Sequence, residues 1–326
     1  MIIARSPLRV SFFGGGTDYP EHFCKEGGAV LATAIDKYLY VTASPFLSRL
    51  FDYSIRLSYR QVELVRHRDE IEHKVFRECL KLCGLERDIE LQTMADLPSF
   101  TGLGSSSSFT VALLHAVHSF KGEFLTPREL ACEAIHVERH FLRENVGCQD
   151  QVMAAFGGFN LVEFRSERDF EVQRVPITPA RLETLEQHLF LVFTGITRKA
   201  SEVAAGQLAK SRRNAGTLRA MQNMVHQGFD ILTSARRLGD FGELLHQAWL
   251  AKRSLDAGIS RPEIDDIYER GRKAGAIGGK LLGAGGGGFM LFFAPPGAHP
   301  KLQKAFRKQQ TLTVRLNALG SQIIFS

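Results

Sequence analysis

The segment from Leu97 to Phe109 reads Leu-Pro-Ser-Phe-Thr-Gly-Leu-Gly-Ser-Ser-Ser-Ser-Phe. Its two glycines, Gly102 and Gly104, allow a tight turn and a close approach of backbone to a ligand. Ser105, Ser106, Ser107 and Ser108 then lead into an apolar helical run through Val111, Leu113 and Leu114. Unpaired N–H groups and the positive end of the helix dipole coincide there, which makes an anion site. Serine hydroxyls at that point can donate to phosphate oxygens or bind Mg²⁺. The loop lacks the lysine of a Walker A motif and the third glycine of a GxGxxG fingerprint. The competing structural reading is a serine N-cap after a flexible turn.

Two more glycine loops shift the balance. Pro7 to Asp18 reads as a strand running into Gly14, Gly15 and Gly16, followed by Thr17 and Asp18. Gly278 to Gly288 is glycine-rich, includes Lys280, Gly285 and Gly286, and follows a short strand. Turns alone account poorly for three such loops. Lys280 by itself reads as a structural surface lysine. Two carboxylates sit on helical segments, Glu138 within Ala134–Arg139 and Asp150 within Gly147–Gln151. Asp150, taken alone, reads as a helix N-cap. His136 and His140 are four apart, but HExxH is absent and zinc is disfavoured. The cysteines (Cys24, Cys79, Cys83, Cys132 and Cys148) are odd in number and contain no CxxC, which excludes a disulfide framework and a structural zinc site. Cys79 and Cys83 share a helix face as small, semi-buried side chains.

The elements that must position these residues follow from pattern. The 326 residues are 44% hydrophobic and 23% charged, enough for a buried core and two domains. Helices are expected over Asp69–Cys83, from Ser105 to Phe120, from Thr126-Pro127 to Arg143, over Asp150–Phe156 and over Pro262–Ala274. A long helical stretch is expected from Lys199 to Asp256. Strands are expected at Leu8–Phe13, Tyr38–Ala43, Ile89–Met94, Phe159–Phe164, Phe170–Val175, Leu189–Phe193 and Gln322–Phe325. Pro176 and Pro179 flank a linker, dividing the chain into 1–177 and 178–326. The net charge of +6 favours anionic partners. The basic residues are dispersed, and the densest group, Lys210, Arg212 and Arg213, reads as a solvated helix face, so nucleic acid is not expected. No apolar run reaches the roughly 18 residues of a membrane span. The start lacks the basic and apolar blocks of a secretory signal, and a cytoplasmic location is expected.

Taken together, the three motifs resemble the GHMP kinases. Pro98 to Ser106 is similar to that family's Pro-x3-Gly-Leu-Gly-Ser-Ser. Pro7-Leu-Arg-Val with Thr17-Asp-Tyr19 resembles the first galactokinase motif, and Lys280 to Gly288 resembles the third family motif. The resemblance covers essentially the whole chain. It implies an α+β, two-domain fold: an N-terminal ATP-binding domain with a left-handed crossover, which the usual handedness rule would not suggest, and a C-terminal ferredoxin-like domain. It implies ATP and Mg²⁺ as cofactors. The nucleotide site would comprise Pro98, Gly102, Leu103, Gly104, Ser105, Ser106 and Ser107, with Ser106 and Glu138 on the metal. Asp150, twelve residues after Glu138 as in galactokinase, would contact the accepting hydroxyl as a base or an electrostatic anchor. Arg9 would stand beside it.

Asp18, Gly14, Gly15, Gly16, Gly285 and Gly286 would meet the sugar. Galactokinase has glutamate and histidine where this chain has Gly15 and Gly16, which disfavours galactose and opens room for a longer, phosphorylated acceptor. Within the family the chain is most similar to the branch that phosphorylates D-glycero-D-manno-heptose 7-phosphate on its anomeric oxygen. The alternatives are an L-fucokinase-like or other hexose 1-kinase, and a catalytically silent sugar or nucleotide sensor. Arg198, Lys252 and Arg253 are candidates for holding a distal phosphate.

Overall fold

The computed structural model describes residues 1–197, 200–210 and 213–326, so Arg198 and Arg212 lie outside the described residues. The first sheet is built on β1 (Ile2–Phe13), which pairs antiparallel with the long β2 (Gly28–Pro45), with α1 (Pro20–Glu26) between them. The chain continues through β3 (Ile55–Ser58), β4 (Val62–Val65), α2 (Lys74–Leu82) and β5 (Ile89–Ala95). β3 runs parallel to β5, and β4 and α2 form the crossover between them. Helices α3 (Ser105–Phe120), α4 (Pro127–His136) and α5 (Gln149–Phe156) follow, then β6 (Phe159–Phe164) and β7 (Phe170–Arg174). β2 is long enough to pair with β6 over its first half and β5 over its second.

Beyond residue 177 come α6 (Pro179–His188), β8 (Leu189–Phe193), α7 (Ala200–Ala209), α8 (Ala215–Thr233), α9 (Leu238–Leu255), α10 (Pro262–Lys273), β9 (Gly278–Leu281), β10 (Phe289–Phe293), α11 (His299–Ala305) and β11 (Thr311–Leu312). The sheet order is β11-β8-β10-β9, antiparallel throughout. In chain order that is fourth, first, third, second, the ferredoxin-like arrangement. The final strand, β12 (Gln322–Phe325), returns to the first sheet and pairs with β1.

One core lies between the first sheet and its helices and contains Val41, Ile89, Val111, Leu114, Ile135 and Val152. A second joins the two units, with Leu8, Val10 and Phe12 of β1 against Leu191, Leu245 and Leu291. Because side chains alternate along a strand, burying Leu8 and Val10 there turns Arg9 to the opposite face, toward α5.

Local signals set most boundaries. Thr126 and Glu129 form a reciprocal capping box with Pro127 in the first turn of α4. The helical path then passes into a π turn, Val137–Phe141, which carries Glu138. The helix expected from Asp69 instead begins at Lys74, after a short 3₁₀ turn at Arg68–Glu70. The reason is tertiary: the buried Glu63 of β4 accepts the N–H groups of Glu72 and His73 at 2.6 and 3.1 Å. Cys79 of α2 and Cys83, which caps its C-terminus, are buried rather than half-buried. Thr126→Ala removes one half of the capping box and should lower the unfolding free energy by about 1 kcal/mol, read from the denaturant midpoint at unchanged slope.

Candidate active site

Helix α3 carries no side-chain cap. Its N-cap is Gly104 in the left-handed region, with φ at 77°, and no serine hydroxyl takes up the first N–H groups. The serine-cap reading is thereby set aside, and the helix start faces a cavity of about 320 Å³. Gly102, Gly104, Ser105, Ser106, Ser107, Asp150 and Gly285 all border that cavity. Ser105, Ser106 and Phe100 also border a second cavity of about 400 Å³ lined by Tyr59, His73, Met94 and Phe109. Pro98 and Leu103 stand outside both: Pro98 accepts from the Thr101 hydroxyl at 3.2 Å, and Leu103 is buried in the core between the two sheets.

The glycines of the second and third loops serve mutual contact. A Cβ on Gly102 would lie 2.5 Å from the Leu282 carbonyl oxygen, and one on Gly288 would lie 2.4 Å from that of Thr101. Phe289 donates its N–H to the Thr101 carbonyl at 2.9 Å, locking the two loops together. Gly286 donates to Ile259 at 2.9 Å and does not border either cavity.

Asp150 is not an N-cap. It lies in the first turn of α5 and accepts two hydrogen bonds from Arg9, Nε to Oδ1 and Nη2 to Oδ2, both at 2.8 Å. The Arg9 side chain is 4% exposed and that of Asp150 24%. Arg9 Nη1 also donates to the Gly102 carbonyl at 2.6 Å, and the Arg9 N–H to that of Leu103 at 3.0 Å. The geometry is that of the strong, planar arginine–carboxylate fork.

Glu138 is buried and aimed at the same helix start. Its Oε2 accepts from the Ser107 hydroxyl at 2.9 Å and from Gln151 Nε2 at 2.6 Å. Its Oε1 has no hydrogen-bond partner among the described residues. Burial pushes its pKa up to about 7, against the pull of Thr110, Ser107 and Gln151. Ser106 is exposed at the cavity rim and makes no hydrogen bond to Glu138; Ser107 makes it instead. Neither Ser107 nor Gln151 stood out as a partner of Glu138 in the sequence, although Gln151 directly follows Asp150.

Asp18 is buried and borders neither cavity. It accepts from the Gly16 N–H at 2.9 Å, and its carbonyl accepts from the Cys148 N–H at 2.8 Å. Burial raises its pKa, Asp150 adds to the rise, and the Gly16 N–H and Lys252 oppose it. Lys252 is buried against Gly15, whose carbonyl it reaches at 3.3 Å, and burial lowers its pKa to about 8. Arg253 points elsewhere and pairs with Asp265 at 2.9 Å. Lys280 is not a surface residue: it is 4% exposed and donates to the carbonyls of Ser11 and Phe12 at 2.8 and 3.0 Å. Burial drives its pKa well below the usual lysine value. Among the described residues no cluster of His, Cys, Asp and Glu could hold a metal by itself, and His140 is paired with Glu167 at 2.6 Å.

Residues 69–158 match the GHMP kinases N terminal domain, and residues 230–310 match the GHMP kinases C terminal domain. The chain belongs to the GHMP kinases. It is 31% identical to a D-glycero-alpha-D-manno-heptose 7-phosphate kinase of Campylobacter jejuni, over 95% of this chain and 94% of that one. It is 25% identical to the galactokinase of Thermotoga maritima, over 92% of this chain and 91% of that one. In fold it is similar to a D-glycero-D-manno-heptose 1-phosphate kinase from Bacteriodes thetaiotaomicron, with a TM-score of 0.82, 22% identity and full coverage of both chains. This GHMP kinase is thus a sugar kinase, a phosphotransferase acting on a sugar hydroxyl. Among the described residues no helix is long and apolar enough to cross a membrane.

The first glycine loop separates two uses of glycine within one motif. Gly14 has φ +84 and a Cβ there would lie 1.9 Å from the Ala29 carbonyl oxygen. Gly15 has no such constraint, and a Cβ on it would make only ordinary contacts at 3.5 Å and beyond. Gly14→Ala should therefore cost at least about 2 kcal/mol of stability. Gly15→Ala should stay within about 0.5 kcal/mol of the parent, as unstrained substitutions do. Paired thermal and denaturant melts check the contrast.

Proposed function

We propose that this kinase transfers the γ-phosphoryl group of ATP, with Mg²⁺, to the anomeric hydroxyl of D-glycero-D-manno-heptose 7-phosphate, giving the 1,7-bisphosphate. The observation that carries the reading is the Arg9–Asp150 fork at the edge of a cavity whose other wall is the uncapped start of α3. Phosphoryl transfer depends on positioning and on stabilising spread negative charge rather than on covalent chemistry by the protein. The N–H groups of Ser105, Ser106 and Ser107 suit the phosphates, and the second cavity, with Tyr59, His73 and Phe109, suits a nucleobase. Asp150 would orient the acceptor hydroxyl and receive its proton, or hold the developing charge in place; Arg9 keeps it fixed. The acceptor assignment is supported by the whole-length similarity to the Campylobacter jejuni heptose 7-phosphate kinase.

The residues present fit Mg²⁺. The buried Glu138 Oε1 without a partner is the oxygen a hard cation would complete, and the nearby donors are hydroxyls, as Mg²⁺ prefers. Glu138 and Ser106 would hold it, and it would supply charge neutralisation on the phosphates. Gln151 and Ser107, both on Oε2, leave Oε1 for that role.

A coupled ADP-release assay over a panel of heptose 7-phosphate, L-fucose and galactose tests the reaction. Heptose 7-phosphate should give the highest kcat/KM; preference for L-fucose would move the protein to the hexose 1-kinases, and no ADP release with any sugar would favour a sensor. In the same assay Asp150→Asn should lower kcat by about 10²-fold or more with little change in sugar KM. A change in KM alone would make Asp150 a binding residue. Glu138→Gln and Ser106→Ala should each lower turnover about tenfold or more while the fold melts normally, and parental rates at saturating Mg²⁺ would remove both from the metal site.

A further inference from the structure

Gly15 lacks a side chain for no reason of backbone geometry. Its neighbours Gly14 and Gly16 hold positive φ angles, whereas Gly15 does not. What surrounds it is polar. The position its Cβ would take lies 3.5 Å from Lys252 Nζ, 3.6 Å from Gln149 Nε2 and 3.7 Å from Ser11 Oγ. All three residues are more than nine-tenths buried, at 5%, 9% and 4% exposure. Ser11 Oγ and Gln149 Oε1 have no hydrogen-bond partner among the described residues.

Among the described residues Lys252 has a single, long hydrogen bond, the 3.3 Å contact with the Gly15 carbonyl, and no carboxylate lies within 4.0 Å in an ion pair. Asp18, the nearest acid by its effect on Lys252, already accepts from the Gly16 N–H, and the Gln149 N–H approaches its other oxygen at 3.4 Å. Buried polar groups and charges are ordinarily paired, because leaving them unpaired is costly. A partnerless hydroxyl, an ammonium with a single long hydrogen bond and an amide side chain around one backbone position are better explained by a ligand than by three separate defects. The atoms nearest that position, Lys252 Nζ, Ser11 Oγ and Gln149 Nε2, can all donate, which suits an anion; Gln149 Oε1 is an acceptor and is not satisfied by it. Of the three cations the sequence offered for a distal phosphate, Arg253 is spent on Asp265 and Arg198 lies outside the described residues, so Lys252 is the one placed here.

We propose that Ser11, Gln149 and Lys252 form an anion pocket around Gly15 that takes the phosphate monoester of the acceptor sugar. The proposal rests on the reading of the acceptor as a sugar phosphate, and assigns the residues that select it. The pocket joins both units of the chain: Ser11 lies on β1, Gln149 opens α5 and Lys252 reaches over from α9.

The test is steady-state kinetics with heptose 7-phosphate and the same heptose without its phosphate, in the parent enzyme, Lys252→Met, Gly15→Ala and Ser11→Ala. Folding is checked by thermal melt. Lys252→Met should raise KM for the phosphorylated sugar by about 30-fold, the scale of one charge-assisted hydrogen bond, with kcat within about threefold. Gly15→Ala and Ser11→Ala should raise the same KM by about tenfold or less. KM for the unphosphorylated heptose should change little in any variant. If the parent uses heptose 7-phosphate but the variants lose both sugars alike, or lose kcat alone, the anion pocket is overturned while the substrate reading stands. If the parent uses only the unphosphorylated sugar, both are overturned. Should Lys252→Met fail to fold, Gly15→Ala and Ser11→Ala carry the same comparison, since neither removes a charge.

Discussion

Arg9 enters the interior as a permanent charge and must be satisfied there. It sits on β1 between two residues of the inter-sheet core, so the strand's own alternation delivers it to the helix side of the sheet. Its guanidinium holds Asp150 of α5 in a fork and the carbonyl of Gly102 in the loop before α3, and its N–H holds the carbonyl of Leu103. One side chain thus sets the distance between strand, loop and helix. Removing Asp150 would leave the buried Arg9 charge without its carboxylate, at a cost that the quarter exposure of Asp150 at the cavity edge keeps below that of a fully buried pair. The cavity, the orientation of Asp150 and the path of the loop all follow from that constraint.

The loops themselves are held by backbone contact. Gly102 and Gly283 pack so closely that a Cβ on Gly283 would lie 2.8 Å from the Gly102 Cα. Contact at that range needs glycine on both sides, which is why both loops are rich in it. The result joins the two units at the wall of the cavity. Lys280 adds a second tie, satisfying the last carbonyls of β1 from a strand of the other sheet.

Charge is arranged in three settings. Glu138 is surrounded by neutral donors, Ser107, Gln151 and Thr110, and its pKa is high because burial is not offset by a neighbouring cation. Asp150 has a cation to itself in Arg9. Asp18 and Lys252 lie between, buried and influencing one another without forming a close ion pair. Carboxylates of one chain are thereby given different electrostatic settings.

Much of this was legible in the residues. The three glycine loops stand out in local pattern, the resemblance to the GHMP kinases singled out Glu138, Asp150, Arg9 and Asp18, and the apolar period placed α3, α5, β6 and β8 close to where they lie, because neighbouring residues along the chain determine those patterns. The strand order of each sheet, the return of β12 to β1, and the delayed start of α2 under Glu63 were not legible, since they depend on partners far away in sequence. The same holds for the chemistry. Sequence could name Ser106 beside Glu138, but only packing put Ser107 on its Oε2. It could present Lys280 and Lys252 as two more lysines among many. Tertiary structure buried both, set one to cap a strand and left the other facing Gly15, because desolvation and the company a charge keeps are properties of the folded neighbourhood and not of the residue.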